Sequence, residues 1–312
     1  MPFNLDCELA HGLAPLAELA EAMPRSIGDW AALRTTLDAA FGYFGDNHPV
    51  VTDVSVSRHT VGIDRESEIL VSWFTKDGHR PGSAALYLHG GGMIGGSVAL
   101  YAPAIRRYVS LSGVPILAVE YRLAPEYQHP TQVEDCYAAL KWLAANAGRL
   151  GVDAARIAVM GDSAGGGLAA GTALLARDRG EVQPAGQILI YPMLDSRTKA
   201  PSDPEMARFL TWLPDDNATV WAALLRDHGD VAFVFPGHAD DLSGMPDAYI
   251  EVGELDLFRD ESIEYARRLL RDSTSVELLI RPGCPHAFDI FVPQAAISCR
   301  AFSDRCRRLE AL

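Results

Sequence analysis

The 312-residue sequence has no C-x-x-C pair, no H-x-x-x-H pair, no basic leader and no apolar stretch of transmembrane length. Each gap closes off a class of function. The five cysteines (Cys7, Cys136, Cys284, Cys299, Cys306) are odd in number and scattered. They read as reduced thiols in a cytoplasmic protein, not as a disulfide framework or a zinc site. The histidines lack paired spacing, so no metal site is expected. The N-terminal segment MPFNLDCELA carries acids where a secretory leader needs cations, and no apolar h-region follows. Nothing approaches the ~20 apolar residues that cross a bilayer. Cations are scarce too, 27 Lys and Arg against 41 Asp and Glu, for a net charge of −14. That balance excludes nucleic acid and anionic membranes as expected partners and is read as serving solubility.

What is present is a globular composition, 48% apolar, with enough material for a sizeable core. Residues 1–45 show helical spacing at Leu13, Leu16 and Leu19, then at Trp30, Leu33 and Leu37. Strands are expected over 50–61, 68–74, 84–88, 114–119, 156–160, 187–190, 248–252 and 276–280. Helices are expected over 133–147, after residue 163, near 217–225, and over 260–270 and 293–309. Early strands without helices, then strand–helix repeats, predict an α/β fold: a mostly parallel sheet with an antiparallel edge and helices on both faces. Ligands of such sheets bind beyond the carboxyl ends of the strands.

The most informative segment is Gly161-Asp162-Ser163-Ala164-Gly165, set between the apolar run at 156–160 and a small-residue helix opening at Gly166. This G-x-S-x-G pattern puts a serine on a tight strand-to-helix turn, where a flanking Cβ would strike neighbouring backbone. The helix N-terminus aims N–H groups at the place where negative charge would develop. A serine hydroxyl needs a base, a group to orient that base and donors for an oxyanion. In chains with this elbow the order is serine, then acid, then histidine. His286, in a Pro/Gly loop after the last expected strand, is the only histidine beyond residue 245. Three acids follow the strand before it. Asp256 is favoured over Glu254, which lies close to the strand end, and over Asp260, which suits the first turn of a helix.

Directly after the run at 84–88 stands His89-Gly90-Gly91-Gly92, whose bare backbone lets N–H groups approach a substrate carbonyl. With Ala164, Gly91 and Gly92 make candidate oxyanion donors. Gly90-x-Gly92-x-x-Gly95 also imitates a dinucleotide fingerprint, with Glu120 as its acid. That rival places the motif after two strands with no crossover helix and leaves Ser163, Asp256 and His286 unexplained. No Lys-Ser/Thr follows the glycines, which excludes a P-loop.

Together these residues resemble the hormone-sensitive-lipase-like carboxylesterases of the α/β-hydrolase fold. The likeness runs from about residue 84 onward. It includes HGGG at 89–92, YRLAPE at 121–126, His129-Pro130, Glu134-Asp135, GDSAGG at 161–166, Asp256-x-x-Arg259-Asp260-Glu261 and His286-Ala287-Phe288. It implies an eight-stranded hydrolase core over 46–194 and 246–312, with a helical cap from 1–45 and 195–245. It makes Ser163 the nucleophile, Asp256 the orienting acid and His286 the base, with Gly91, Gly92 and Ala164 as oxyanion donors. It requires no cofactor. Two departures are visible, Leu257 where the family usually has Pro and Ala287 where it often has Gly.

Arg122, Glu126, Glu134, Asp135, Arg259 and Asp260 are read as ion pairs that hold loops. Phe209, Trp212, Trp221 and Phe235 either line a substrate pocket or form the cap's own core, and Phe209 and Trp212 are the candidates for substrate contact. The expected activity is hydrolysis of short-chain or aryl esters through an acyl-enzyme. The expected partner is a small-molecule ester, and a homodimer stays open. An amidase, lactonase or deacetylase on the same three residues is the nearest alternative. A non-catalytic receptor is a more distant one.

Overall fold

Runs of β-branched and aliphatic residues in this chain become strands wherever both faces are covered. The computed structural model describes residues 3–23, 26–64, 67–225 and 235–312. The strands are β1 (Val54–Gly62), β2 (Glu68–Lys76), β3 (Ala84–Leu88), β4 (Ile116–Val119), β5 (Ile157–Asp162), β6 (Gly186–Ile190), β7 (Ala248–Gly253) and β8 (Val276–Arg281). They form one sheet in the order β1-β2-β4-β3-β5-β6-β7-β8. β1 and β2 run antiparallel and every other neighbouring pair is parallel, save the antiparallel β2–β4 pair. The order reverses between β3 and β5, where Leu88 stands opposite Gly161. The glycine loop and Ser163 therefore leave adjacent strands at the switch point, where crevices open in such sheets.

The helices are α1 (Cys7–Gly12), α2 (Ala14–Ala22), α3 (Trp30–Gly45), α4 (Val98–Ser112), α5 (Thr131–Ala145), α6 (Ala147–Leu150), α7 (Ala164–Arg179), α8 (Pro214–Leu225), α9 (Arg259–Arg271), α10 (Phe288–Phe291) and α11 (Ala296–Glu310). Alternate strand residues feed two buried clusters, as the period of two requires. Leu86, Leu88, Val159 and Leu189 pack with α5, α7 and α9. Tyr87, Ala118, Met160 and Ile188 pack with α4 and α11. α7 is buried around its whole circumference from Ala164 to Ala176, which its small and apolar sequence permits.

The expected strands are all present, with ends shifted by a few residues. α4 has no counterpart in the sequence reading. Its apolar residues run almost without a break from Val98 to Ile105, and Pro103 lies inside it, so neither periodicity nor propensity singles it out. Ser97 caps it by accepting from the Leu100 N–H, and Gly113 at φ 71° ends it. Phe41 of α3 packs on Tyr101 of α4 and on Phe291 of α10, with ring centroids 5.1 and 6.1 Å apart. Of the expected cap segments, residues 1, 2, 24, 25 and 226–234 lie outside the described residues.

One buried charge cluster ties the second half of the sheet to α11. The Arg305 guanidinium, fully buried, pairs with Glu251 of β7 at 2.5 Å and with Asp289 of α10. It also donates to the Tyr108 hydroxyl of α4 at 2.7 Å. Arg281 adds a second cation at 2.7 Å from Glu251. Among the described residues, no helix is long and apolar enough to cross a membrane.

Candidate active site

Three strand ends converge beside the α3–α8 side of the molecule. The first is the turn after β5. Ser163 is held at φ 57° and ψ −120°, a conformation costly for any residue but glycine. Its N–H donates to Ile190 O at 2.9 Å, and its C=O accepts from Gly167 and Met193 at 3.0 and 2.9 Å. The flanking glycines are obligatory. A Cβ on Gly161 would lie 2.2 Å from Gly165 O, and one on Gly165 would lie 2.0 Å from Leu88 O.

The second and third ends are the loops after β7 and β8. Leu255 N–H donates to Cys284 O at 2.9 Å and Glu254 N–H to Arg281 O at 2.8 Å, which draws the two loops together. Asp256 and His286 meet as a result. Asp256 Oδ2 lies 2.8 Å from His286 Nδ1, and Asp256 Oδ1 accepts from the Phe258 N–H at 2.9 Å. His286 Nε2 lies 2.8 Å from Ser163 Oγ. With the ring proton on Nδ1, directed at the carboxylate, Nε2 is free to accept from the serine hydroxyl. Tyr191 and Phe258 meet the imidazole edge-on at 4.8 and 5.1 Å, and Thr211 Oγ1 donates to His286 O at 2.6 Å. The ring is thus held by two aromatic neighbours, and its residue by a hydrogen bond to its backbone. Ala287 takes φ 56°, the left-handed region that glycine would adopt without strain.

The two other acids considered do other work. Glu254 accepts from the Gly283 N–H at 2.9 Å, with no ion pair among the described residues. Asp260 pairs with Arg259 at 2.8 Å in the first turn of α9. Of the remaining charged residues of the motifs, Arg122 with Asp135 and Glu126 with Arg34 tie the 121–126 loop to helices, whereas Glu134 pairs with Arg179 and joins α5 to α7 rather than holding a loop.

The glycine loop folds over the elbow. Gly91 adopts φ 113°, and its C=O accepts from Ile94 and Gly95 at 3.2 and 3.0 Å. The N–H groups of Gly91, Gly92 and Ala164 have no hydrogen-bond partner among the described residues. His89 lies beneath, stacked on Tyr121 at 4.2 Å, with Nδ1 2.8 Å from Gly90 O. Burial pushes the His89 imidazole down to about 4, so it stays neutral. Asp162, next to the serine, points the other way and accepts from the Tyr87 hydroxyl at 2.7 Å. Burial, reinforced by nearby Asp289, raises its carboxyl to about 7.

A cavity of about 350 Å³ opens above Ser163 and His286. Phe209 and Trp212 line it, beside Leu13 and Leu16 of the N-terminal helices and Phe41 of α3. Trp221 and Phe235 do not. They pack edge-to-face on each other at 4.2 Å, inside the buried cluster beneath α8. Tyr101 of α4 also reaches the cavity and was invisible in the sequence for the same reason as its helix.

The α/β-hydrolase-fold family matches residues 85–290 of this chain. The chain belongs to it. Carboxylesterase NlhH of Mycobacterium tuberculosis is 35% identical over 79% of this chain and 80% of its own. An ethyl acetate hydrolase of Pseudomonas putida is 36% identical over 70% and 74%. Among solved structures, a bacterial heroin esterase superposes with a TM-score of 0.85 at 35% identity, covering 99% of this chain and 98% of that one. The chain is a hormone-sensitive-lipase-like esterase, a carboxylic ester hydrolase. The receptor alternative loses its ground, because such receptors lack a member of the Ser, Asp and His set that this chain holds in contact.

Proposed function

We propose that Ser163 is the nucleophile, His286 the general base and Asp256 the acid that orients it, in a short-chain or aryl esterase. The observation that carries this is the unbroken chain from Ser163 Oγ to His286 to Asp256, 2.8 Å at each step. Ser163 Oγ attacks the ester carbonyl carbon as His286 Nε2 takes its proton. The oxyanion is bound by the unpartnered N–H groups of Gly91, Gly92 and Ala164. The imidazolium, stabilised by Asp256, then protonates the departing alcohol. Water repeats the sequence on the acyl-enzyme, with His286 again the base, and frees Ser163.

Residues 1–45 and 195–245 form the cap in this reading, because both line the cavity. Phe209 and Trp212 contact the substrate. The apolar lining and modest volume suit small apolar esters, and the names of the ethyl acetate and heroin esterase relatives accord with that. The unpaired thiols among the described residues suit the cytoplasm.

The test is labelling with a fluorophosphonate, which reacts with an activated serine irrespective of the natural ester. Wild-type protein should be labelled and Ser163→Ala should not, with kcat on p-nitrophenyl acetate falling about 10³-fold or more. Labelling or turnover retained in Ser163→Ala would overturn the assignment.

A further inference from the structure

The glycine loop that supplies two of the three oxyanion donors is held along its outward side by α3, a helix of the N-terminal region. Within the loop, Gly91 O closes on the Ile94 and Gly95 N–H groups. Those bonds fix the inner turn and leave the outward-facing Ile94 C=O and Gly96 N–H to find partners elsewhere. Both are taken by α3. The Arg34 guanidinium donates from Nε to Ile94 O, and Asp38 Oδ1 accepts from the Gly96 N–H at 3.0 Å. Arg34 and Asp38 are four residues apart and share one helix face. Their side chains also lie close along the loop, since a Cβ on Gly95 would come into van der Waals contact, 3.4 Å, with both Arg34 Cγ and Asp38 Oδ1.

Arg34 reaches a second loop as well. It donates to Ala124 O at 2.6 Å and forms a two-pronged pair with Glu126 at 2.8 and 2.7 Å. The Ala124 N–H in turn donates to Met93 O at 2.9 Å, in the middle of the glycine loop. Arg34 thus grips the loop directly through Ile94 and indirectly through Ala124. The same helix presents Thr36, Leu37, Ala40 and Phe41 to the cavity. One rigid element therefore touches both the space where an ester sits and the frame of the groups that bind its oxyanion.

We propose that Arg34 and Asp38 are positioning residues of the oxyanion loop. They set the aim of the Gly91 and Gly92 N–H groups without touching the substrate, and they link the seating of α3 to the competence of the hole. The proposal rests on the assignment of that hole made above. An oxyanion exists only in the transition state and the tetrahedral intermediate, so a misaimed hole lowers kcat and leaves KM nearly unchanged. Losing one oxyanion donor outright costs about 10²–10³ in kcat. Misaiming one is expected to cost about 10- to 100-fold, below that limit.

The experiment measures kcat and KM on p-nitrophenyl acetate for Asp38→Ala, Asp38→Asn, Arg34→Gln and Arg34→Lys, with fluorophosphonate labelling rate and Tm for each. Asp38→Asn keeps an acceptor oxygen for the Gly96 N–H and should stay within a few-fold of wild type. Asp38→Ala should lose about 10-fold or more in kcat at unchanged KM and label correspondingly more slowly. Arg34→Lys cannot serve Ile94, Ala124 and Glu126 together, and should fall with Arg34→Gln. Variants that unfold at lower temperature but keep full kcat would overturn the proposal, as would a rise in KM alone. A wild-type chain that fails to label would instead bring down the underlying site assignment, so the two failures are told apart.

Discussion

Asp256 touches His286 and nothing that reacts, so its removal separates orientation of the base from the attack itself. In Asp256→Asn the hydrogen-bond geometry survives, but the imidazolium loses its counter-charge and the ring can adopt the wrong tautomer. We expect kcat to fall about 10⁴-fold with the fold intact, as measured by steady-state kinetics beside circular dichroism. A loss under tenfold would show that the carboxylate is dispensable. The contact of Asp256 with His286 was legible because both follow strand ends in the expected order. Glu254 and Asp260 lie on the same stretch and find other partners, in a hydrogen bond and an ion pair. Arg34 and Asp38 were not legible. Their partners lie 58 to 92 residues away along the chain, and nothing in one sequence reports a pairing at that distance.

At the scale of elements, the cavity wall is where substrate range is set. Leu16 of α2 lines the space above Ser163 and is only half-buried, so a larger side chain there displaces solvent-facing volume rather than the core. Leu16→Trp should lower kcat/KM for octanoate relative to acetate p-nitrophenyl esters by about tenfold, in line with the few kcal/mol that apolar pocket contacts command. An unchanged ratio would place the acyl chain elsewhere in the cavity. Strands were read well at this scale because β3, β5, β6 and β7 are short apolar runs ended by Gly or Pro signals. α4 escaped because Pro103 lies inside it and its first two turns are apolar on every side, which masks the helical period its buried residues keep from Tyr101 to Ser112. The resemblance supplied the expectation of a cap, and no local pattern marks which aromatics of residues 195–245 face the cavity. Phe209 and Trp212 do so, while Trp221 and Phe235 pack together.

For the molecule as a whole, buried titratable groups make stability depend on pH in opposing senses. His48 and His89 are each pushed by burial from 6.5 to about 4, so the folded state binds their protons only in strong acid. The unfolded chain takes those protons up near pH 6.5, and stability is therefore lost as pH falls from about 6.5 towards 4. Asp162 works in the opposite sense. Its carboxyl is raised from 3.8 to about 7, so the folded state holds a proton that the unfolded chain releases, and its contribution is lost as pH rises through that range. Glu261, raised by burial well above its ordinary value, acts in the same sense as Asp162. Each histidine by itself takes away ~1.4 kcal/mol per pH unit on acidification within its window. Urea unfolding at pH 6.5, 5.5 and 5, compared between wild type and His48→Gln, isolates one of them. The slope of stability against pH should differ by about that amount, and an unaltered slope would exclude His48 as a source.

The Arg305 cluster has a consequence for synthesis on the ribosome. Glu251 sits with no exposure on β7, next to the edge strand β8, and burying a lone carboxylate costs several kcal/mol. Arg305, which with Arg281 supplies its counter-charge, is translated 54 residues later. β1 to β6 can assemble as they emerge. β7 cannot settle with its acid fully paired until α11 has left the exit tunnel. Nascent chains arrested before residue 305 should therefore keep the segment after β6 open to proteases, and the site should form only afterwards, since Asp256 and His286 both lie in that late-closing segment.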